Sequence, residues 1–206
     1  MQHRAGFYEK YVKRLLDLVL SGMALIILSP LLLGAAILVR VKLGSPVIFC
    51  QERPGKDEQI FKLHKFRSMS DARDKNGELL PDQERLGKFG RILRATSLDE
   101  LPQLFNILKG QMAIVGPRPA LWNQYDLIAE RDKYGANDIL PGLTGWAQIN
   151  GRDELEIPVK AKLDGEYVEK LGFGMDVKCF FGTITSVLKH DGVVEGGTGA
   201  MHEDKK

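Results

Sequence analysis

Ser97-Leu98-Asp99-Glu100-Leu101-Pro102-Gln103 places two adjacent carboxylates between a basic segment and a proline-bracketed arginine. Serine followed three residues later by glutamate is a capping box, and proline suits the start of a helix better than its middle. The stretch therefore predicts a helix with Asp99 in its first turn, where backbone N–H groups favour an ionised carboxylate or a phosphate. Acidic residues also occupy first turns for stability alone, so a structural role stays open.

Length and charge limit the classes of protein that this chain can represent. Its 206 residues accommodate one domain with a core, and its net charge of +2 argues against a nucleic-acid-binding protein. Basic residues are nevertheless in excess over residues 1–42 and 53–94, which favours phospholipid head groups and phosphorylated substrates as partners. Cys50 and Cys179 cannot form a disulfide framework, so a reducing compartment is expected.

Residues 18–39 carry no charge and are long enough to cross a bilayer as one helix. Ser29-Pro30 interrupts this stretch, and basic residues flank both of its ends. Both ends therefore favour the cytoplasm, and proline removes a helical hydrogen bond where a bend is needed. We expect a re-entrant membrane helix whose bend lies at Ser29 and Pro30, with Ser29 bonding a carbonyl freed near residue 26. A single span with a proline kink is the alternative.

Two β-prone runs, residues 47–51 and 59–66, flank a turn-rich segment at residues 53–57 and predict a hairpin. Strand alternation places Lys65 near the end of the second strand, where it can meet a ligand or simply discourage aggregation. Residues 70–86 are polar and predict a surface loop. A helix over residues 87–94 aligns three cations, Lys88, Arg91 and Arg94, beside the acidic pair.

The second half of the chain adds a candidate anion-binding arginine and a glycine-rich loop. Arg118 stands between two prolines, which reduce the entropy lost when its guanidinium binds an anion such as phosphate. Residues 141–152 predict a loop that can surround a nucleotide, although no Walker or dinucleotide motif is present. The last helical pattern is typical of a core helix, with a membrane surface as the alternative. It comprises Val177, Phe180, Phe181, Ile184, Val187 and Leu188.

Four motifs, in this order, resemble the bacterial sugar transferase family and, more closely, its small monotopic phosphoglycosyl transferases. They are residues 65–69 (Lys-Phe-Arg-Ser-Met), 97–106, 115–119 (Val-Gly-Pro-Arg-Pro) and the loop at 141–152. The likeness runs from about residue 11 to residue 189. It implies transfer of a sugar-1-phosphate from a UDP-sugar to a polyprenyl phosphate, commonly undecaprenyl phosphate, with release of UMP and with Mg²⁺ as cofactor.

The same resemblance implies roles for individual residues. Asp99 would be the nucleophile that carries the phosphosugar, and Glu100 would be a metal ligand or a base, so that both carboxylates are expected at the Mg²⁺. The family's re-entrant helix bends at a Ser-Pro pair, which Ser29-Pro30 matches. The basic positions suited to phosphate binding correspond to Lys65, Arg94, Arg118 and Arg152.

We therefore expect a mainly helical α+β fold at the cytoplasmic face of the inner membrane. It would comprise a re-entrant membrane helix (residues 1–44), a catalytic domain with a small β-hairpin and interfacial amphipathic helices (45–190) and a flexible tail (191–206). The sequence leaves the oligomeric state open, including a homodimer. A metal-dependent lipid-diphosphate phosphohydrolase would use the same charges with water as acceptor. A membrane-tethered scaffold would need the acidic pair only as a helix cap.

Overall fold

A computed structural model describes residues 3–151 and 155–189, and its mainly helical α+β architecture agrees with the sequence-based prediction. The strands are β1 (Ile48–Pro54), β2 (Ile60–Phe66), β3 (Ala113–Val115) and β4 (Gly142–Thr144). The helices are α1 (Arg14–Ile27), which continues a π-helical segment over Tyr8–Lys13, α2 (Ser29–Leu43), α3 (Asp82–Arg85), α4 (Lys88–Ala95), α5 (Gln103–Leu108), α6 (Tyr125–Asp132), α7 (Trp146–Ile149), α8 (Ile157–Glu169) and α9 (Phe173–Lys189).

The N-terminal helices form a bent pair, in which Tyr8–Ile27 and Ser29–Leu43 meet at 64°. Pro30 cannot donate to the carbonyl of Ile26, and the Ser29 hydroxyl instead donates to that oxygen at 2.8 Å. The predicted bend and its hydrogen-bond partner are therefore confirmed. In the described part of the chain, no helix alone has the length and apolar character for a membrane crossing, whereas the bent pair together does.

Both arms of the bent pair pack against the same body of the protein. Arg14 on α1 donates to the carbonyls of Ile107 (2.7 Å) and Leu108 (3.1 Å) at the end of α5. The Ile107 carbonyl also accepts from the Gly110 N–H at 3.0 Å, so Arg14 adds to the capping at the end of α5. On the other arm, Val39 is fully buried in a cluster with Phe66 of β2. Each arm is thereby anchored on the folded domain near the end that lies away from the bend.

The predicted hairpin is present, with β1 and β2 antiparallel from the Ile48–Phe66 pair to the Pro54–Ile60 pair. Strand β1 is longer than expected and includes Arg53, which the sequence had placed in the turn. Because strand side chains alternate, Phe49, Gln51 and Arg53 share the face that carries Lys65, the register partner of Phe49. One face of the hairpin therefore gathers two cations.

The buried apolar side chains form clusters that hold the hairpin, the short helices and the parallel pair β3–β4 together. Fully burying a large apolar side chain contributes about 1.5–3 kcal/mol. The cluster under the hairpin comprises Phe61, Leu63, Leu104, Ile107 and Met112. The cluster beneath β3 comprises Val115, Ala136, Ile139, Tyr167, Val168 and Cys179.

Three glycines allow the parallel strands to approach the proline-bracketed arginine closely. A Cβ on Gly142 would lie 2.1 Å from the Gly116 nitrogen, and one on Gly145 would lie 2.1 Å from the Gly116 oxygen. A Cβ on Gly116 would lie 2.6 Å from the Leu140 oxygen. No larger residue fits these contacts, which fix the backbone immediately before Arg118.

The last helix differs from its predicted role in the core. Phe180, Phe181 and Ile184 on α9 have 47%, 61% and 45% of their surface exposed, whereas Cys179 is fully buried. The prediction that these three residues pack in the core is therefore wrong, because α9 contacts the rest of the protein through its opposite face. The side chains of Val187 and Leu188, like the predicted flexible tail at 191–206, lie outside the described residues.

Candidate active site

The acidic pair lies in a short turn between two helices. Leu98–Glu100 forms a single 3-10 turn, and α5 begins only at Gln103, directly after Pro102, so Asp99 precedes this helix instead of lying in its first turn. The predicted capping box is wrong. Ser97 has a left-handed backbone (φ 55°) and makes no side-chain cap. Its N–H instead donates to the Arg94 carbonyl at 3.0 Å, so Ser97 belongs to the turn that terminates α4.

Asp99 is a buried carboxylate with 6% of its surface exposed. It accepts no hydrogen bond from the described residues. Burial, helped by the charge of Glu100, raises the pKa of Asp99 to about 6, and the cations Lys65 and Arg94 act in the opposite direction. Asp99 is therefore ionised at neutral pH and has both oxygens available for chemistry.

Glu100, in contrast, is held by two of the predicted cations. Its Oε1 accepts from Lys65 Nζ at 3.1 Å and from Arg118 at 2.5 Å, and its Oε2 accepts from Arg118 at 3.3 Å. Burial acts to raise the pKa of Glu100, but Arg118 and Lys65 outweigh it and hold this pKa well below its usual range. Burial also lowers the pKa of Lys65. Glu100 is consequently a fixed anion and a weak base.

The remaining cations that the sequence predicted near the acidic pair occupy different positions. Arg94, on α4, lies beside the site, where its Nε donates to the Ser68 hydroxyl at 3.0 Å. Lys88 and Arg91 lie on the same helix, as predicted, but are exposed and do not line the site. Arg152 lies outside the described residues.

These side chains open onto a cavity of about 670 Å³, a size typical of small-molecule sites. The excess of cations over carboxylates in its described lining suits a ligand with several negative charges. The basic lining residues are Arg53, Lys65, Arg67, Arg85, Arg94, Arg118, Arg131 and Lys160. The acidic lining residues are Asp71, Asp82, Asp99 and Glu100.

Sequence reasoning missed three parts of this cavity. Arg53 was assigned to the turn, although its period-two alternation with Phe49 and Gln51 was a readable signal. The polar segment at residues 70–86, taken as a surface loop, contributes four lining residues, among them Arg85. Arg131 of α6 lines another wall and pairs with the fully buried Asp164 of α8 at 2.6 Å, a contact that no local pattern indicates.

The carboxylates expected at the Mg²⁺ are Asp99 and Glu100. In residues 3–151 and 155–189, no three or more His, Cys, Asp or Glu side chains are grouped for metal binding. Magnesium commonly uses only one or two carboxylates, completed by substrate phosphates and water. Among the described residues, Asp99 has no hydrogen-bond donor and Glu100 Oε2 has one, so these oxygens fit such a site.

Comparisons with known proteins identify relatives along most of the chain. Residues 8–190 match the family model described as Bacterial sugar transferase. The uncharacterized sugar transferase EpsL of Bacillus subtilis is 45% identical over 182 residues, which is 88% of this chain and 90% of that protein.

Two further relatives carry functional names. The UDP-glucose:undecaprenyl-phosphate glucose-1-phosphate transferase of Escherichia coli is 39% identical over 186 residues, which is 85% of this chain and 40% of that protein. A UDP-N-acetylgalactosamine-undecaprenyl-phosphate N-acetylgalactosaminephosphotransferase of Aeromonas hydrophila is 33% identical over 186 residues, covering 86% and 44%. The match thus spans less than half of these two longer proteins. Its extent along this chain shows that the chain belongs to the bacterial sugar transferase family.

Proposed function

We propose that this protein is a phosphoglycosyl transferase that moves a sugar-1-phosphate from a UDP-sugar to undecaprenyl phosphate and releases UMP. The observation that carries the proposal is the contrast within the acidic pair. Asp99 is buried, ionisable and free of hydrogen bonds from the described residues, while Glu100 is fixed by Lys65 and Arg118. Relatives whose names specify this class of reaction support it.

In the first step, an Asp99 oxygen attacks the phosphorus that bears the sugar. A bond forms between this oxygen and the phosphorus, and the bond from that phosphorus to the bridging oxygen breaks. UMP leaves with the electron pair. Because the attacking oxygen and the diphosphate are both negatively charged, the reaction needs neighbouring cations, which Lys65, Arg94 and Arg118 supply.

In the second step, a phosphate oxygen of undecaprenyl phosphate attacks the same phosphorus. The bond from Asp99 to phosphorus breaks, and the carboxylate is regenerated as the polyprenyl-diphosphate-sugar departs. A phosphate monoester with its second pKa near 6 is largely dianionic at pH 7 and does not require a base. The low pKa of Glu100 accordingly favours an anchoring or metal-binding role over that of a base.

The expected Mg²⁺ would be held by Asp99 and Glu100 Oε2 together with substrate phosphate oxygens. When bound, it would supply positive charge that lowers the repulsion between Asp99 and the diphosphate. Glu100 would then have two tasks, because the same carboxylate orients Lys65 and Arg118 toward the cavity.

The acceptor lipid requires the site to lie at a membrane surface. We propose that the bent pair α1–α2 enters one leaflet and returns, with the cavity at the cytoplasmic face of the inner membrane. The uncharged part of each arm, residues 18–27 and 29–39, is about 15–17 Å long at helical rise, less than the ~30 Å hydrocarbon core. The anchoring of both arms on one body supports a return rather than a crossing. The exposed apolar side chains of α9 suit the same interface.

The proposal is tested by the intact mass of the detergent-solubilised protein after incubation with UDP-sugars and Mg²⁺, without polyprenyl phosphate. With each UDP-sugar supplied separately, a phosphosugar adduct on the wild type that is absent from Asp99→Asn is the expected result, and the UDP-sugar that gives it identifies the sugar. The relatives do not identify the sugar, since their names specify glucose in one case and N-acetylgalactosamine in another. UMP release only after addition of polyprenyl phosphate, with no adduct, would contradict Asp99 as nucleophile.

The phosphohydrolase alternative differs from the transferase in its acceptor, which is water instead of polyprenyl phosphate. With a UDP-sugar, polyprenyl phosphate, polyprenyl diphosphate and ¹⁸O-labelled water, a hydrolase releases ¹⁸O-labelled phosphate from the diphosphate, whereas a transferase produces unlabelled polyprenyl-diphosphate-sugar. The scaffold alternative predicts full function in Asp99→Asn, because asparagine caps a helix about as well as aspartate. The absence of a Ser97 cap removes the structural basis for that alternative.

A further inference from the structure

Arg53 is a cavity-lining cation whose hydrogen bonds go only to neutral groups. One terminal nitrogen of its guanidinium donates to the Pro119 carbonyl at 3.2 Å, and the other donates to the Gln51 side chain at 2.7 Å. Within the described residues, Arg53 makes no ion pair. A guanidinium has five N–H groups, so each terminal nitrogen retains one N–H beyond these contacts.

Arg94 likewise donates to a neutral group, the Ser68 hydroxyl, whereas three other arginines of the cavity wall make ion pairs. Arg67 pairs with Asp71 at 2.7 Å, Arg85 pairs with Asp82 at 3.3 Å, and Arg131 pairs with Asp164 at 2.6 Å. Their charges are neutralised within the protein. A buried charge without a partner is costly, so its retention at Arg53 points to an anionic ligand.

The charges around Arg53 also favour an anionic ligand. Burial, and then the charge of Arg118, lowers the pKa of Arg53 to about 10, although Glu100 partly offsets both effects. Glu100 is already occupied by Arg118 and Lys65. Three cations therefore surround one fixed carboxylate. The Pro119 carbonyl that accepts from Arg53 belongs to the residue after Arg118, so the Arg53 guanidinium is hydrogen-bonded to the backbone next to Arg118.

Arg53 also faces the cavity with an unused donor. Its Nε is buried and has no hydrogen-bond partner among the described residues, and its side chain lines the same cavity as Asp99, Glu100 and Arg118. In a displacement at phosphorus, the leaving group gains the charge of the broken bond. A cavity-lining cation with unused N–H groups is suited to receive that charge.

We propose that Arg53 and Arg118 form a clamp for a phosphate monoester dianion, namely the phosphate of the departing UMP. The inference rests on the proposed function. When the bridging oxygen leaves with its electron pair, the nucleotide phosphate gains one negative charge, and the Arg53 fork meets that charge with its remaining N–H groups. Charge-assisted hydrogen bonds to a phosphate are stronger than neutral ones, so the clamp favours the product side of the bond cleavage.

The test compares the binding of UMP and uridine to the full-length, detergent-solubilised protein by isothermal titration calorimetry. We expect Arg53→Gln to weaken UMP binding at least tenfold and to change uridine binding less than twofold. Arg53→Lys should fall between the two, because lysine keeps the charge but loses the planar fork. Arg73→Gln is the matched control. It removes the same charge from an exposed arginine outside the cavity lining and should bind UMP like the wild type.

Unchanged UMP affinity in Arg53→Gln, with the wild type binding UMP, would overturn the clamp alone. Equal losses for UMP and uridine would also overturn it, because they would mean that Arg53 only anchors the Pro119 backbone. A wild-type protein that binds neither compound would overturn the proposed function and the clamp with it. Thermal unfolding of each variant separates a local loss of binding from a loss of folded protein.

Discussion

Lys13 Nζ lies 2.6 Å from Asp176 Oδ2, across a gap of 163 positions in the chain. The same carboxylate accepts from the Tyr8 hydroxyl at 2.8 Å and from the Tyr167 hydroxyl at 2.6 Å. One side chain in the first turn of α9 therefore joins the N-terminal helix, α8 and α9. This junction holds the apolar bent pair in a fixed orientation relative to the cavity.

Asp176→Asn tests the energetic weight of that junction. Lys13 is 7% exposed, so loss of the carboxylate removes the anion that its buried ammonium contacts and leaves only the charge of Asp17 nearby. Breaking a buried pair in this way costs about 3–5 kcal/mol, and we expect a fall of that order in the free energy of unfolding, measured by denaturant titration in detergent. Glu130→Gln is the control, because its partner Lys133 is 60% exposed and such surface pairs contribute about 0–1 kcal/mol. Equal effects of the two variants would contradict the junction.

Asp99→Asn should stabilise the folded protein at neutral pH while abolishing adduct formation. The pKa of Asp99 is raised from 3.8 to about 6, so between these values the unfolded chain has released a proton that the folded chain still holds. The stability of the wild type therefore falls as pH rises through this window and levels off above it. Asparagine does not titrate. The variant should be more stable by up to about 3 kcal/mol above pH ~6, and the difference should vanish below pH ~4.

This measurement requires EDTA, because a bound divalent cation favours the ionised carboxylate and would hide the effect. Thermal unfolding between pH 4 and pH 8 gives the profile. A stability difference that stays constant with pH, or that grows toward acid, would contradict the burial assigned to Asp99. Leu98→Ala, on the same turn, carries no titratable group and controls for a general disturbance of the backbone.

Asn106 should act as a positioning residue for Lys65. Its fully buried amide accepts from the backbone N–H and ring Nδ1 of His64, and it donates to the Lys62 carbonyl at 2.7 Å and to Gln111 at 2.8 Å. It thus locks β2 onto α5 just before Lys65 meets Glu100. Asn106→Ala leaves several buried groups unpaired, each costing about 1–3 kcal/mol.

We expect Asn106→Ala to lower kcat for UMP release more than tenfold, with a smaller effect on KM, because the alignment of Lys65 with Glu100 is lost. Asn123→Ala is the control, since Asn123 is exposed and is not among the described residues that line the cavity. A loss of stability with kcat preserved would show that Asn106 has only a structural role.

The features that sequence patterns predicted correctly are those decided by local chemistry. Proline lacks an N–H, which set the bend at Ser29-Pro30. Alternating β-prone residues set the hairpin. The grouping of Lys65, Arg94 and Arg118 around the acidic pair followed from the family resemblance rather than from periodicity.

The features that were missed depend on long-range packing. Ser97 has a capping-box sequence, but the end of α4 imposes a left-handed backbone that the pattern does not encode. Arg131 and Asp164 are 33 positions apart and meet only after α6 packs on α8. Phe180 and Phe181 have helical spacing, which specifies a face but not whether protein or lipid covers it.

The sidedness of the bent pair gives the last prediction. Arg14 on α1 and Val39 on α2 contact the same body, so both ends of the pair should face the cytoplasm. In a Cys50→Ser background, Gly6→Cys and Lys42→Cys should both resist a membrane-impermeant maleimide added to intact cells, and both should react after permeabilisation. A Cβ at Gly6 meets nothing within 4 Å, and Lys42 is exposed, so neither change disturbs packing.

Ser29→Ala in the same background tests the bend itself. The Ile26 carbonyl would lose the hydroxyl at 2.8 Å and remain unpaired in apolar surroundings, which costs several kcal/mol in lipid. We expect less folded protein in the membrane fraction but unchanged sidedness, because the anchors at Arg14 and Val39 remain. Gly34→Ala is the control on the other arm, where an added methyl group meets no neighbour. Labelling of Gly6→Cys, but not Lys42→Cys, in intact cells would instead establish a kinked single span.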